Sequence, residues 1–291
     1  MKTKFQKFAC LCCLSAGLSV LPALAQDNNR EIQFDIQTGQ TLFPIQPTMY
    51  GIFFEDINFG ADGGLYAELV KNRSFEFQEP LMGWIPFGTV QILEKDPCFE
   101  RNPHYVRLSY NQEITQTGLE NEGFKGMGIK GGESYFLSAY ARTQSAAPIR
   151  LRIELISEDN EIFEAKEMTV SGKDWKKYTV TLTPEDTEKR AHLRLTLKDA
   201  GTIDMDHISL FPENTYKKRA NGLRADLVEA LKELHPGIFR FPGGCIVEGT
   251  TRETRYQWKN TIGPVENRPT NINRWFYTFS YRKFPDYYQS L

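Results

Sequence analysis

The sequence predicts two fold classes in one chain: a partial (β/α)8 (TIM) barrel of the α/β class, interrupted by an all-β sandwich of the jelly-roll type. An apolar run that ends at Phe54 indicates a strand buried on both faces, as in a parallel barrel. From residue 84 to 212 the hydrophobic pattern has a period of two, which is typical of short antiparallel strands. After residue 213, a helix, a tight turn, an apolar strand and a glycine-rich loop form an α/β unit.

The first 25 residues have the pattern of a secretory signal peptide. Three lysines precede an apolar run over residues 8–21, and Ala23-Leu24-Ala25 forms a small-x-small cleavage site. The run is shorter than the roughly 20 residues of a membrane span, so we expect export to the periplasm or beyond and no membrane span after cleavage. Three of the five cysteines lie in this segment. The remaining two, Cys98 and Cys245, are expected to be free thiols.

Residues 26–83 are predicted to form an N-terminal strand and the first barrel unit. Alternation of Ile32, Phe34 and Ile36 with polar residues predicts a half-buried strand over 31–38. Residues 49–54 predict the first barrel strand, which a polar loop follows. The sequence GLYAELVK predicts a short helix over 64–71.

Residues 84–212 are predicted to form the sandwich. Turns rich in Gly, Pro, Asn and Asp separate segments in which apolar and polar side chains alternate. The predicted strands are 104–110, 135–142, 149–155, 178–182, 193–197 and 202–211.

Residues 213–291 are predicted to continue the barrel. Asn221 is expected to cap a helix that carries leucines at 223, 227, 231 and 234, and Pro236-Gly237 ends it. A strand over 238–241 and a glycine-rich loop follow. A complete barrel takes about 250 residues. Because the chain outside the sandwich is much shorter, we expect two or three βα units and a chain that is the front part of a larger enzyme.

Composition limits the partners of the chain. The net charge of −2 and the pI of about 6.2 argue against nucleic acid as a partner. The four histidines lack the spacing of metal ligands, so we expect no metal site. The aromatic share of 13% is compatible with both a β-rich core and surfaces that stack on sugars.

Two groups of motifs resemble glycoside hydrolase family 51, the α-L-arabinofuranosidases. The first is YGIFFEDIN at 50–58 with GGLYAEL at 63–69 and NRSFE at 72–76, which resembles the opening of the family. The second is RFPGGC at 240–245 with WKNTIGPVENRP at 258–269, which resembles its second barrel strand and the following loop. The insertion resembles a carbohydrate-binding module of the CenC type.

The resemblance implies a retaining hydrolase that removes terminal α-L-arabinofuranosyl groups from arabinan or arabinoxylan, with two glutamates as acid/base and nucleophile. In the family these glutamates lie on the fourth and seventh barrel strands, so both are expected beyond Leu291. We therefore expect no catalytic residue within this chain. The implied substrate-binding residues are Glu55, Arg240 and Cys245. No cofactor is expected, and an oligomer is possible for the full-length enzyme.

Several alternatives stay open from the residues alone. The chain could be a non-catalytic carbohydrate-binding protein, and Arg240 could serve only to orient Glu55 or a later carboxylate through a bidentate ion pair. Glu248 and Glu253 could form an acid/base pair, although a solvated loop is the simpler interpretation. Asp204 and Asp206 could help to bind Ca²⁺ or could lie on an exposed strand face. Four aromatic residues in the insertion are candidates for stacking on sugar: Trp84, Phe87, Tyr105 and Tyr110.

Overall fold

The computed structural model describes residues 32–57, 59–111, 116–272 and 278–280. The predicted signal peptide lies outside these residues. The chain divides into two units, one that ends at Pro44 and one that runs from Ile45 onward. Within 32–44 the backbone forms neither helix nor strand, and Ile32, Phe34 and Ile36 are exposed. The prediction of a strand here is wrong, because alternation alone does not supply the partner strand that a ladder of hydrogen bonds requires.

The second unit contains fifteen strands and two α-helices among the residues described. Short 3₁₀ helices lie at Pro47–Met49, Tyr216–Lys218, Trp258–Thr261 and Val265–Asn267. The α-helices are α1 (Ala225–Glu233) and α2 (Cys245–Glu248). The strands are β1 (Gly51–Phe53), β2 (Trp84–Phe87), β3 (Thr89–Leu93), β4 (Tyr105–Tyr110), β5 (Gly118–Asn121), β6 (Met127–Ile129), β7 (Tyr135–Thr143), β8 (Ile149–Ile156), β9 (Ile162–Val170), β10 (Lys176–Leu182), β11 (Glu188–Leu197), β12 (Gly201–Pro212), β13 (Ile238–Arg240), β14 (Thr270–Ile272) and β15 (Thr278–Ser280).

Strands β1 and β13 pair in parallel, with Gly51 opposite Ile238 and Phe53 opposite Arg240. The predicted strands at 49–54 and 238–241 are therefore confirmed, with shorter bounds. The expectation that they are buried on both faces is wrong for the part of the chain described, where Phe53 is 53% and Ile238 55% exposed. Among these residues the pair forms a two-stranded sheet, which cannot enclose its own apolar side chains.

The helix predicted over 64–71 does not form. Leu65, Tyr66 and Ala67 are all buried, although three successive residues of a surface helix cannot face the core together. The backbone instead bonds to distant segments: the N–H of Ala67 donates to the carbonyl of Gly222 and that of Leu69 to the carbonyl of Leu210. Tertiary hydrogen bonds thus replace the helical ones that the local pattern predicts.

Two antiparallel sheets form the predicted sandwich. One has the order β10-β7-β12-β4-β3, and the other β2-β5-β11-β8-β9 with β6 also paired to β11. Alternate side chains of both sheets fill one apolar core, which includes Leu108, Leu137, Leu151, Leu195 and Met205. The six predicted strands are confirmed. Sequence reasoning missed β2, β3, β5, β6 and β9. Strand β9 shows why, since it is an edge strand and most of its side chains are not buried.

Helix α1 is confirmed, but it starts later than predicted. The N-cap position is Arg224 rather than Asn221, whose positive φ places it in a turn. Leu223 lies before the helix and pairs with Tyr66, and Leu234 follows the helix and is exposed. Tyr66 and Leu223, together with Val228 and Phe211, belong to a second small core beside the sandwich.

Glu68 joins the two chain segments that enter and leave the sandwich. Its buried carboxylate accepts hydrogen bonds from the backbone N–H groups of Val70 and Leu210 and from the hydroxyl of Ser209, and Arg73 lies 3.6 Å away. Burial raises the pKa of Glu68, against the opposing effects of Arg73 and these hydrogen bonds. The base of the insertion is thereby fixed by a side chain that is 1% exposed.

Asp204 and Asp206 on β12 are both fully buried, so neither a Ca²⁺ site nor an exposed strand face describes them. Asp204 accepts two hydrogen bonds from Arg107, at 2.6 and 3.0 Å, and one from Arg142 at 2.8 Å. The described residues contain no cluster of three or more side chains that could hold a metal ion.

We expect Asp204→Asn to destabilise the sandwich by about 3 kcal/mol, because the two arginines lose the buried charge that they share. This lies at the lower end of the range for buried pairs, since Arg107 is partly exposed. Urea unfolding measures the change. The matched control is Asp199→Asn, which removes the carboxylate of an exposed pair with Arg150 and should change stability little. Equal effects of both substitutions would contradict the expectation.

Asp206 makes stability depend on pH. Burial raises the pKa of Asp206 well above its usual value of 3.8, so the folded chain retains a proton that the unfolded chain has lost. This contribution to stability is complete below the unfolded pKa and is lost as the pH rises towards the folded pKa. We therefore expect Asp206→Asn to gain stability relative to the wild type as the pH rises from 4 to 8, roughly the window above the unfolded pKa. Unfolding curves at several pH values test this, with the exposed Asp186→Asn as control.

Candidate functional site

The candidate site lies at the ends of β1 and β13. Because the two strands are parallel, their carboxyl ends lie at the same edge, where barrel proteins build their active sites. Residues 54–57 follow β1, and the glycine-rich loop with α2 follows β13. The N–H of Phe54 donates to the carbonyl of Arg240 and extends the pairing to this edge.

Glu55 is half-buried and is held by one of its two carboxylate oxygens. Its Oε1 accepts hydrogen bonds from the backbone N–H groups of Gly244 at 2.9 Å and Ile246 at 3.0 Å. These groups belong to the first turn of α2, which leaves its first N–H groups without helical partners. Within the described chain Oε2 takes no hydrogen bond, so this oxygen is available to accept one from a ligand hydroxyl.

Gly243 makes the close approach of Glu55 possible. Its φ is +136°, a backbone conformation that side chains other than glycine rarely adopt, and a Cβ at this position would clash with the side chain of Glu55. The peptide between Phe241 and Pro242 is cis. Gly243 thus lets the loop pass close to the carboxylate of Glu55.

Arg240 and Cys245 lie in the same strand-end loop region as Glu55, but the structure gives neither of them a hydrogen bond to its carboxylate. The exposed guanidinium of Arg240 stands 4.7 Å from the centre of the Phe53 ring. Among the described residues it forms no ion pair with Glu55, so the alternative of a bidentate pair is not realised here. Cys245 is the first residue of α2 and is a half-buried free thiol.

The remaining predicted residues are outside this arrangement. Cys98 is also a free thiol, as predicted, and burial together with Asp206 raises its pKa to about 12. Glu253 is exposed on the loop after α2, in agreement with a solvated loop, whereas Glu248 is exposed but is the last residue of α2 and not part of a loop. No described helix has the length and apolar character needed to span a membrane.

Sequence reasoning missed three residues that fix the loop after β13. Asn102 donates to the carbonyls of Glu266 and Arg268, and the guanidinium of Arg268 donates to the carbonyl of Gly263. Glu266 and Arg268 were within a recognised motif but had no assigned role. Asn102 carried no signal, since its partners lie more than 160 positions further along the chain.

Comparisons with known proteins show what this chain is similar to. Residues 230–284 match the family described as alpha-L-arabinofuranosidase 1 domain, and residues 67–202 match a carbohydrate binding domain. An extracellular exo-alpha-L-arabinofuranosidase of Streptomyces chartreusis is 42% identical over 256 residues, which cover 81% of this chain and 30% of that protein. Alpha-L-arabinofuranosidase 1 of Arabidopsis thaliana is 35% identical, over 78% of this chain and 35% of that protein.

A solved structure extends the comparison to the fold. The arabinose-bound MgGH51 α-L-arabinofuranosidase has a TM-score of 0.74 and 31% identity, over 80% of this chain and 40% of that chain. The chain thus spans about a third of the length of the first two curated relatives. These matches place the chain among the glycoside hydrolase families. Within them it belongs to family 51, whose matching relatives are named α-L-arabinofuranosidases.

We expect Gly243→Ala to destabilise the chain by more than about 2 kcal/mol, because backbone strain adds to the clash with Glu55. Thermal and denaturant unfolding measure the loss. The matched control is Gly132→Ala, where φ is +79° but a Cβ meets no atom within 4 Å. That variant should lose about 1 kcal/mol from strain alone. A loss at residue 243 no larger than at residue 132 would show that Glu55 simply moves aside.

Proposed function

We propose that this chain is part of an exported α-L-arabinofuranosidase that hydrolyses terminal α-L-arabinofuranosyl residues of arabinan or arabinoxylan. The observation that carries the proposal is the carboxylate of Glu55, with one oxygen anchored to α2 and the other open at the strand-end edge. A furanoside presents hydroxyl groups, and a carboxylate oxygen accepts hydrogen bonds from them. The extracellular relative and the predicted signal peptide support export.

In this proposal β1 and β13 are the first two strands of a (β/α)8 barrel. Their exposed apolar side chains, Phe53 and Ile238, would then face neighbouring elements of that barrel. Arg240 would donate hydrogen bonds to substrate or to a catalytic carboxylate, and Cys245 would contact the sugar. These assignments rest on their place at the edge and on the family.

The proposed chemistry is a retaining double displacement. One glutamate protonates the leaving oxygen while a second, roughly 5 Å away, attacks the anomeric carbon, and water then hydrolyses the glycosyl-enzyme intermediate. Both glutamates are supplied by parts of the enzyme outside residues 1–291. The contribution of this chain is to bind and orient the arabinofuranosyl group.

A second candidate function is non-catalytic carbohydrate binding. The match of residues 67–202 to a carbohydrate binding domain favours it. Retention of arabinan without hydrolysis, by the protein in the form that its organism makes, would support this function over the first.

We expect Glu55→Gln, in the full-length enzyme, to lower kcat/KM by roughly 10- to 150-fold. Glutamine keeps an oxygen for the N–H groups of α2 but replaces the open oxygen with a donor, so a charge-assisted hydrogen bond of about 1.5–3 kcal/mol is lost. Initial rates on an aryl α-L-arabinofuranoside measure this loss. Glu253→Gln, an exposed carboxylate on the following loop, is the control. Unchanged kinetics in the first variant would rule out contact between Glu55 and the substrate.

A further inference from the structure

The centre of the outer face of the five-stranded sheet β10-β7-β12-β4-β3 is covered, whereas Phe136 on β7 is 45% exposed. On this face Tyr105 is 2%, Asp204 0% and His207 5% exposed, although each points away from the sandwich core. A sheet face that binds an external ligand is open to solvent before the ligand arrives. Something in the chain itself therefore occupies this face.

Aromatic rings on this face pack against the chain's own side chains. The guanidinium of Arg142 lies 4.5 Å from the ring centre of Trp175 and 5.3 Å from that of Tyr105. Phe99 packs edge-on against Tyr140 at 4.9 Å. These rings are consequently not free to stack on a sugar.

The other aromatic candidates in the sandwich do not form a platform either. Trp84 is 4% exposed and donates its indole N–H to the carbonyl of Asn72, and Tyr110 packs against the sandwich core. Of the four residues that the sequence suggested for stacking, only Phe87 is left, and it is half-buried. One such ring does not make a binding cleft.

The segment of the α/β part that contacts this face is residues 258–268, which we call the rim loop because it follows β13 and α2. The carboxylate of Glu266 accepts a hydrogen bond from the hydroxyl of Tyr140 at 3.2 Å and lies 3.5 Å from Nζ of Lys177. The side-chain amide of Asn102, which is 2% exposed, donates to the carbonyls of Glu266 at 2.6 Å and Arg268 at 3.0 Å.

The charges at this contact are complementary. The pKa of Glu266 lies below its usual value. Burial alone would raise this pKa, but hydrogen bonds from its own backbone N–H and from Tyr140, and the charge of Lys177, lower it by more. Burial and Glu266 together raise the pKa of Tyr140 to about 12, so the phenol keeps its proton and donates. An anionic acceptor meets a neutral donor and a cation, which is the arrangement of a formed interface.

The rim loop is also fixed within itself. The guanidinium of Arg268 is 3% exposed and donates to the carbonyl of Gly263 at 3.1 and 2.6 Å. Upstream, the N–H of Tyr256 donates to the carbonyl of Val247 in α2, the helix that Glu55 caps. A continuous set of contacts thus connects the sandwich face to the candidate site.

We propose that the part of the five-stranded face that carries Tyr140 and Lys177 is an intramolecular docking surface for the rim loop and not a glycan-binding surface. Asn102, Tyr140 and Lys177 are positioning residues that hold the loop at the edge where Glu55 lies. The sandwich then serves the site as a scaffold. The inference rests on the proposed function only where it predicts an effect on enzyme kinetics. The docking of the rim loop does not depend on that function.

Hydrogen exchange of the full-length protein tests the docking without any substrate. We expect Asn102→Ala to speed exchange of the amides in 258–268 by roughly tenfold, because two hydrogen bonds to the loop are lost. Exchange within β4, β7 and β12 should stay as in the wild type. Lys177→Met should give a smaller effect of the same kind if Asn102→Ala does not fold. Lys176→Met, the neighbouring lysine on β10, is the matched control.

Two results would overturn the inference: unchanged exchange in the rim loop of both variants, or protection of β4, β7 and β12 when arabinan is added to the wild type. In the arabinofuranosidase assay, Asn102→Ala should raise KM by more than it lowers kcat, as expected for a misplaced rim. A wild type that shows no such activity would refute the proposed function, while the exchange result would still decide the docking.

Discussion

The parallel pairing of β1 with β13 brings together residues that are far apart in the chain, and the candidate site depends on it. Glu55 and the Gly244 N–H that it caps are 189 positions apart. The entropy cost of closing a flexible loop grows only slowly with its length, and the folded sandwich occupies most of this one. Because the paired strands end at one edge, a carboxylate after the first strand meets the helix after the second.

Contacts at two places on the sandwich join it to the α/β part of the described chain. At its base, Glu68 bonds to Ser209 and Leu210 and so links the entering and leaving segments. At its five-stranded face, Asn102 bonds to the rim loop. A buried carboxylate is costly unless its hydrogen bonds are satisfied, and Glu68 has three such bonds together with a nearby arginine. Attachment at two points resists rotation of the insertion better than one.

The sequence was informative where local pattern and tertiary environment agree. Strands β7, β8 and β12 could be predicted, because alternation along a strand directly reflects a sheet with one face in the core. The helix at 64–71 could not be excluded, since the carbonyls that capture its N–H groups belong to Gly222 and Leu210. For the same reason, the place of Glu55 at a strand end was predictable and its role as a cap was not. The local sequence does not indicate partners that lie so far away along the chain.

The distance along the chain between β1 and β13 also has a consequence for synthesis on the ribosome. At about 5–20 residues per second, the 189 positions that separate Glu55 from Gly244 take roughly 10–40 seconds to translate. During that time all the strands of the sandwich emerge and can pair with one another, whereas β1 has no partner. Its apolar side chains, Ile52 and Phe53, are then open to chaperones or to aggregation until β13 appears. Strand β1 is therefore the segment of the nascent chain that is most open to aggregation.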